Sequence, residues 1–133
     1  MELIDTHTHL FLPEFAEDRD KVICRAEQLG VTSFLMPNVD EQTLADVLDV
    51  ANSYPGKCLP MIGLHPTSVN SQTDFSLEWI YKRLQSGRFI AVGEIGMDLY
   101  WDKTYKSEQE QVFRTQIAFA REFDLPIVIH SRD

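Results

Sequence analysis

Short apolar segments alternate with segments of helical spacing along the whole chain of 133 residues. The apolar segments lack the in–out polarity of half-exposed strands, which is typical of parallel strands buried on both faces. They predict five strands, at residues 3–6, 31–36, 59–64, 89–93 and 127–129. Because strands and helices alternate throughout, the sequence predicts an α/β fold with right-handed crossover connections.

The segments between these strands carry apolar residues three and four positions apart, and they predict four helices. The apolar positions run through residues 22–29, 44–51, 77–84 and 113–120. Asp18 and Asp40 are the expected N-caps of the first two helices, and Ser107 with Glu110 has the capping-box pattern at the fourth. A glycine or a proline follows each helical segment and marks its end.

The spacing of the strands bears on the architecture. Successive strands begin 28, 28, 30 and 38 residues apart, a mean of 31. Eight such units would need about 250 residues, the usual size of a TIM-type β/α barrel, so the chain would supply about five of eight strands of a truncated barrel. A doubly wound five-stranded sheet also fits the length, and the period alone leaves both architectures open.

Acidic side chains outnumber basic ones. The 21 Asp and Glu against 12 Lys and Arg give a formal net charge of −9, which argues against a broad basic groove that binds nucleic acid by charge alone. No apolar segment approaches the length of a membrane span and no leader is evident, so we expect no membrane association. Cys24 and Cys58 are isolated, which favours free thiols and a cytoplasmic location.

Histidines and carboxylates follow the C-terminal ends of four predicted strands. They are His7 and His9, His65, Glu94 with Asp98, and His130. The C-terminal edge of a parallel sheet is where ligands bind, because the connecting loops leave a crevice there. The shared edge favours His7, His9, Glu94 and His130 as ligands of a metal centre.

The most specific of these patterns is the pair His7 and His9. Alternate residues of a strand point to the same side, so both rings can share one cation such as Zn²⁺ or Mn²⁺. Glu94, flanked by glycines in an apolar segment, is costly to bury unless it is paired or bound to a cation. A salt bridge to Arg132 and a bridge between two cations would both satisfy it.

Three other residues are candidates for contacting substrate or for holding a ligand in place. His65 lies in a predicted tight turn before Pro66, Asp5 shares a strand face with His7, and Arg132 could contact a phosphate or pair with a carboxylate. The polar and aromatic loop at residues 100–103 could stack bases or sugars, or pack as part of a lid or core.

Taken together, these segments resemble the N-terminal half of a TatD-family metal-dependent deoxyribonuclease, one of the amidohydrolase-like β/α barrels. The resemblance is carried by LIDTHTHL at 3–10, GLHP at 63–66, VGEIGMD at 92–98, YWDK at 100–103 and PIVIHSRD at 126–133. It implies that residues 1–133 are the N-terminal part of a single barrel domain. Phe11 departs from the family pattern, in which Asp, Asn or Ser usually follows the first motif.

The resemblance also implies a reaction and a set of ligands. His7 and His9 would hold the first of two divalent ions (Mg, Mn or Zn), Glu94 would bridge them, and His130 would bind the second. The implied reaction is phosphodiester hydrolysis in DNA, of the 3′–5′ exonuclease type, with no obligatory protein partner. The family's next histidine ligand and its late aspartate, the expected general base, fall beyond residue 133. We therefore expect the 133-residue chain to be inactive alone and to self-associate through open strand edges.

Two alternatives keep the metal ligands but change the function. A metal-dependent hydrolase of this type could act on an amide or ester of a small molecule instead of a phosphodiester. A metal-binding module with no catalytic activity would carry the same histidines and carboxylate. Metal-dependent turnover of nucleic acid, of small esters, or of neither substrate separates the three possibilities.

Overall fold

The computed structural model describes all residues 1–133 and consists of five strands and four helices in alternation. The strands are β1 (Leu3–Asp5), β2 (Val31–Pro37), β3 (Cys58–Met61), β4 (Val92–Asp98) and β5 (Ile127–Arg132). The helices are α1 (Arg19–Gln28), α2 (Leu44–Ser53), α3 (Glu78–Leu84) and α4 (Lys106–Glu122), and short 3₁₀ turns lie at Pro13–Phe15 and Pro66–Ser68. The predicted α/β class is confirmed.

All strand pairs are parallel, and neighbours in space follow the order of the chain. One sheet has the order β1-β2-β3, and β4 pairs with β5 in a second sheet. A parallel bridge from Ile62 to Val92 joins the two, supported by a hydrogen bond of 2.9 Å from the Gly93 amide to the Ile62 carbonyl. A doubly wound sheet reverses its strand order at a switch point, whereas sequential pairing is the order of a β/α barrel.

Two strands extend further than the sequence indicated. β4 runs to Asp98 and β5 to Arg132, so Glu94 and His130 lie inside strands, with Gly96 opposite His130 in the register. The predicted ends at residues 93 and 129 were wrong because each was placed before the first polar side chain. In the structure both strands continue through these polar residues. The side chain of His130 contacts those of Glu94 and Asp98 towards the C-terminal ends of β4 and β5.

Two of the predicted helix starts were also wrong. The N-cap of α2 is Thr43, whose amide donates to the Asp40 carboxylate at 2.9 Å, so Asp40 orders the preceding turn. The N-cap of α4 is Tyr105, which places Ser107 inside the helix. A side-chain cap was expected there because the sequence pattern matched, but the chain enters α4 two residues earlier.

Buried polar side chains hold the segment that leads from β3 to His65. Gln116 of α4 accepts a hydrogen bond from the Leu64 amide at 2.7 Å and donates to the Leu64 carbonyl at 3.2 Å. Asn38, just after β2, accepts from the Gly63 amide at 2.7 Å. Because both side chains are fully buried, these bonds replace the strand pairing that ends at Met61 and fix the approach to the site.

The two outermost strands keep large apolar side chains exposed. Ile4 of β1 is 56% exposed and Ile129 of β5 is 55% exposed, in contrast to the fully buried Ile62 and Val92 between them. Neither strand pairs on its outer side. Among the helices, none combines the length and the apolar composition needed to cross a bilayer.

Candidate metal centre

The segment after β1 brings His7 and His9 to the C-terminal edge of the sheet. The amide of Thr8 donates to the Leu35 carbonyl at 3.0 Å, which keeps this segment aligned with β2. Nδ1 of His9 lies 3.2 Å from the Pro37 carbonyl oxygen. The two imidazole rings meet edge to face, with 5.1 Å between their centroids. Both rings therefore sit side by side at the end of the first two strands.

Glu94 lies at the centre of the histidines and is 9% exposed. Its two carboxylate oxygens face different partners. Oε2 is 3.2 Å from Nε2 of His7, whereas Oε1 is 3.0 Å from Nδ1 of His130 and 3.8 Å from Nε2 of His65. One carboxylate thus divides the histidines into two sets.

The donor atoms of each set are close enough to share an ion. In one group, His7, His9 and Glu94 place their donor atoms within 4.8 Å of one another, and His65, Glu94 and His130 do so in the other. Nitrogen and carboxylate ligands bind divalent ions such as Zn²⁺ at about 2.0–2.2 Å, and a carboxylate can bridge two ions about 3.5–4 Å apart. The residues present therefore fit a pair of divalent cations that share Glu94.

Burial favours the ligand form of two of these histidines. Burial lowers the pKa of His9, and the neighbouring His7 lowers it further. Burial also lowers the pKa of His65, against the opposing charge of Glu94. Only the neutral imidazole can bind a metal ion, so both rings remain in that form to a lower pH than a free histidine.

Asp98 belongs to this centre although the sequence assigned it no role. Asp98 is 3% exposed, and its Oδ2 lies 2.8 Å from Nε2 of His130, which leaves Nδ1 of that ring facing Glu94. Burial opposes ionisation of Asp98, but hydrogen bonds from His130 and from the Tyr100 amide hold its pKa below the ordinary value. A carboxylate behind a histidine in this way fixes the orientation of a metal ligand. Its position after the same predicted strand as Glu94 was the available signal.

The three other candidates lie at different distances from the cluster. His65 is the nearest: its Nδ1 is 2.6 Å from the Thr67 hydroxyl, and its ring centroid is 4.4 Å from that of His130. The turn at Pro66 was expected to aim this ring into the site, in contact with substrate or with a ligand, and the structure places its donor atom with those of Glu94 and His130. The Asp5 carboxylate accepts a hydrogen bond from the His7 amide at 3.2 Å.

Arg132 lies outside the cluster. Its guanidinium carbon stacks 3.9 Å above the centroid of the Tyr100 ring and 5.4 Å from that of Trp101. The salt bridge to Glu94 that was one reading of the sequence is therefore not formed. Instead, the arginine and the two aromatic rings make a separate group beyond the end of β4.

Comparison with known proteins places the chain in a family. The family described as "TatD related DNase" matches residues 4–133. An uncharacterized metal-dependent hydrolase of Bacillus subtilis, YabD, is 37% identical over 131 residues, which are 98% of this chain and 51% of that protein. The 3′–5′ ssDNA/RNA exonuclease TatD of Pectobacterium carotovorum is 30% identical over 131 residues, 98% of this chain and 50% of its own length.

Solved structures agree in fold. The crystal structure of YJJV, a TatD homologue from Escherichia coli, superposes with a TM-score of 0.88 at 35% identity, covering 98% of this chain and 51% of that one. This likeness confirms the predicted architecture of parallel β/α units from a TIM-type barrel. The chain spans about half the length of the relatives it matches. The resemblance drawn from the sequence is also confirmed: the chain belongs to the family of TatD-related DNases.

Proposed function

We propose that this chain forms the metal-binding part of a hydrolase that cleaves phosphodiester bonds in single-stranded nucleic acid, with 3′–5′ exonuclease action on DNA. The observation that carries the proposal is the division of the Glu94 carboxylate between two sets of histidines. Relatives named as 3′–5′ ssDNA/RNA exonucleases support the choice of bond and substrate.

Each histidine of the centre, and Glu94, has a proposed role as a metal ligand. His7 and His9 would hold one divalent ion, His130 would hold the other together with His65, and Glu94 would bridge the two. Two such ions polarise the phosphoryl oxygen, activate water and stabilise the leaving oxygen.

Asp98 would keep His130 in the orientation that presents Nδ1 to the bridged site, while Asp5 would hold the backbone of His7.

The cations would also offset the repulsion between the acidic chain and a nucleic acid. The chain carries a formal net charge of −9, which would repel a polyanion. Two divalent ions add four positive charges at the one place where a phosphate must bind. Arg132, held on the face of Tyr100 at the end of β5, would supply a further contact to phosphate through its free edge.

The proposal includes the remainder of the barrel. Residues 1–133 would be the N-terminal part of a single barrel domain, with the general base supplied by later strands. A general base contributes about 10²–10⁴-fold to the rate, so the 133 residues alone would bind metal and substrate but turn over slowly or not at all. The unpaired outer sides of β1 and β5 would then drive self-association.

A second candidate is hydrolysis of a small ester or amide. It is favoured by the naming of two relatives, at 37% and 35% identity, only as uncharacterized metal-dependent hydrolases. The same histidine and carboxylate ligands would polarise a carbonyl oxygen in place of a phosphoryl oxygen. Metal-dependent turnover of small esters without any affinity for DNA would favour this candidate over the first.

Calorimetric titration of the metal-free chain with Mn²⁺ or Zn²⁺ tests the centre. We expect two ions per chain for the native sequence and a loss of both binding steps in Glu94→Gln, because one carboxylate serves both groups. Glu14→Gln is the matched control, since Glu14 is exposed and belongs to neither donor group. Unchanged stoichiometry and affinity in Glu94→Gln would contradict the bridging role.

The nature of the substrate is tested separately, by fluorescence anisotropy of a labelled single-stranded oligodeoxynucleotide. Binding should require the divalent ion and should disappear with EDTA or in Glu94→Gln. Binding that persists with EDTA would show that the strand is held elsewhere, and it would refute the proposed role of the ions in attracting phosphate.

A further inference from the structure

A cavity of about 250 Å³ lies between the 3₁₀ turn after β3 and the loop after β4. Pro66 and Val69 form one wall, and Trp101 and Tyr105 form the other. The volume is below the roughly 300–1,000 Å³ of pockets for drug-sized ligands, so the cavity fits one flat ring system and not a whole nucleotide.

The cavity shares its walls with the metal centre. Asp98, which lines the cavity, is bonded to His130 at 2.8 Å. Thr67, which also lines it, lies 2.6 Å from His65 through its hydroxyl. A ligand in the cavity would therefore be one side chain away from the two histidines that face Oε1 of Glu94. Such a position suits the part of a substrate next to the reacting group.

The ring of Trp101 is available to stack on a ligand. Trp101 is 72% exposed, and its ring meets that of Tyr100 edge to face with 4.8 Å between the centroids. The Arg132 guanidinium lies 3.9 Å from the centroid of Tyr100 and 5.4 Å from that of Trp101, so a ligand would stack on the opposite face of the indole. An exposed indole held in place beside a cavity offers a flat apolar surface of the kind on which nucleobases stack.

The charged side chains that line the cavity favour the base of a nucleotide over its phosphate. Asp98 and Asp102 are the ionisable acids of the lining, and the lining contains no lysine or arginine. Carboxylates repel a phosphate, but they accept hydrogen bonds from the N–H groups of a base. The phosphate of a bound nucleotide would thus point away from the cavity and towards the proposed cations.

We propose that this cavity binds a nucleobase of the substrate strand, stacked on Trp101. The proposal rests on the proposed hydrolysis of nucleic acid and deepens it, because it assigns a place to the base beside the scissile phosphate. Since every base presents a flat face, the site would be tolerant of sequence but would discriminate against a nucleotide that lacks its base.

The chain has two tryptophans, so Trp79→Phe leaves Trp101 as the single indole reporter. In this variant, kept in EDTA so that the metal centre plays no part, dAMP should quench the fluorescence in a saturable way. Deoxyribose 5-phosphate, which has no base, should leave it unchanged. Equal quenching by both compounds, or none by dAMP, would overturn the proposal.

Calorimetry with dAMP then tests the stacking residue itself. Trp101→Ala should weaken binding by roughly 5- to 140-fold, the range expected for one base stacked on one aromatic ring. Trp101→Phe keeps an aromatic face and should retain most of the affinity for dAMP. The one tryptophan left in this variant is Trp79, and dAMP should not quench its fluorescence. Equal dAMP affinity in Trp101→Ala and the native chain would reject this site.

The metal titration and the oligonucleotide assay fail or succeed independently of this result. Base-dependent quenching with no metal-dependent DNA binding would support the cavity and refute the proposed hydrolase. Metal-dependent DNA binding with no effect of Trp101→Ala on dAMP affinity would support the hydrolase and refute the cavity.

Discussion

Replacing Gly96 by alanine would test how closely β4 and β5 must approach beneath the metal centre. Gly96 faces His130 in the register and has a φ of +145°, which side chains rarely adopt. A Cβ at this position would lie 2.0 Å from the His130 carbonyl oxygen, at least 1 Å inside the closest real contacts, which begin near 3.0 Å. Because that oxygen is backbone, no side-chain rotation relieves the overlap, and the strands must separate.

The expected cost has two parts. The unfavourable backbone conformation contributes about 1–3 kcal/mol for a residue with a Cβ. Overpacking against a neighbouring strand contributes about 1–3 kcal/mol. Gly96→Ala should therefore lower the free energy of unfolding by about 2–6 kcal/mol. Because separation of the strands moves His130 away from Glu94, the metal affinity of that group should fall as well.

Gly56→Ala is the matched control. Gly56 also has a positive φ, of +76°, but a Cβ there would meet nothing within 4 Å. Both variants share the effect of alanine on the unfolded chain, but a φ of +76° lies near the left-handed region and a φ of +145° does not. The difference between the variants therefore reports the overlap, about 1–3 kcal/mol, together with the extra backbone strain at residue 96. Urea denaturation of the metal-free proteins measures both values. Equal losses of stability in the two variants would refute the close approach of the strands at His130.

Three more outcomes are expected. Asp98→Asn should weaken metal binding by about 10- to 100-fold in calorimetry, since His130 loses the partner that orients its ring. Asp46→Asn, at an exposed position, should leave metal binding unchanged. Gln116→Ala should lower the free energy of unfolding, measured by urea denaturation, by about 2–4 kcal/mol, because two buried backbone groups lose their partner. Gln111→Ala, at an exposed position of the same helix, should change it little. Burial raises the pKa of Cys58 to about 11, so only one thiol should react quickly with a disulfide reagent until the chain unfolds.

The positions of the strands along the chain could be predicted from the sequence, but which strands pair with each other could not. Each strand is marked locally by a run of apolar side chains, whichever strands lie beside it. The order of strands depends on contacts between distant residues, such as the bridge from Ile62 to Val92. The period of the sequence was therefore compatible with a barrel and with a doubly wound sheet, and pairing in chain order distinguishes them.

Much of the candidate centre could likewise be found from chain position. His7, His9, Glu94 and His130 were singled out because each stood near a strand end, and the structure brings their donor atoms together around one carboxylate. The contact of Asp98 with His130 could not be found that way. It depends on how far β4 and β5 extend and on their register, which no local pattern specifies.

The position of His65 has a similar explanation. Its ring contacts the hydroxyl of Thr67 within the turn, and the buried amide of Gln116, which comes from α4, holds the preceding residue Leu64. A glycine before the turn and a proline within it predicted a bend that aims the ring into the site. The particular contacts of the ring, with His130 and with Oε1 of Glu94, depend on the packed structure.

The join between the two sheets has a consequence for cooperativity. β3 and β4 meet through a single bridge and a few backbone hydrogen bonds, so opening of one sheet from the other would break these bonds and the packing that Ile62 and Leu64 share with Val92 in one core cluster. Both candidate ion groups cross this join, because each combines Glu94 of β4 with a histidine that follows β1 or β3. An ion in either group would couple the opening of one sheet to that of the other, and the half-barrel would then open as one unit whose stability rises with ion concentration.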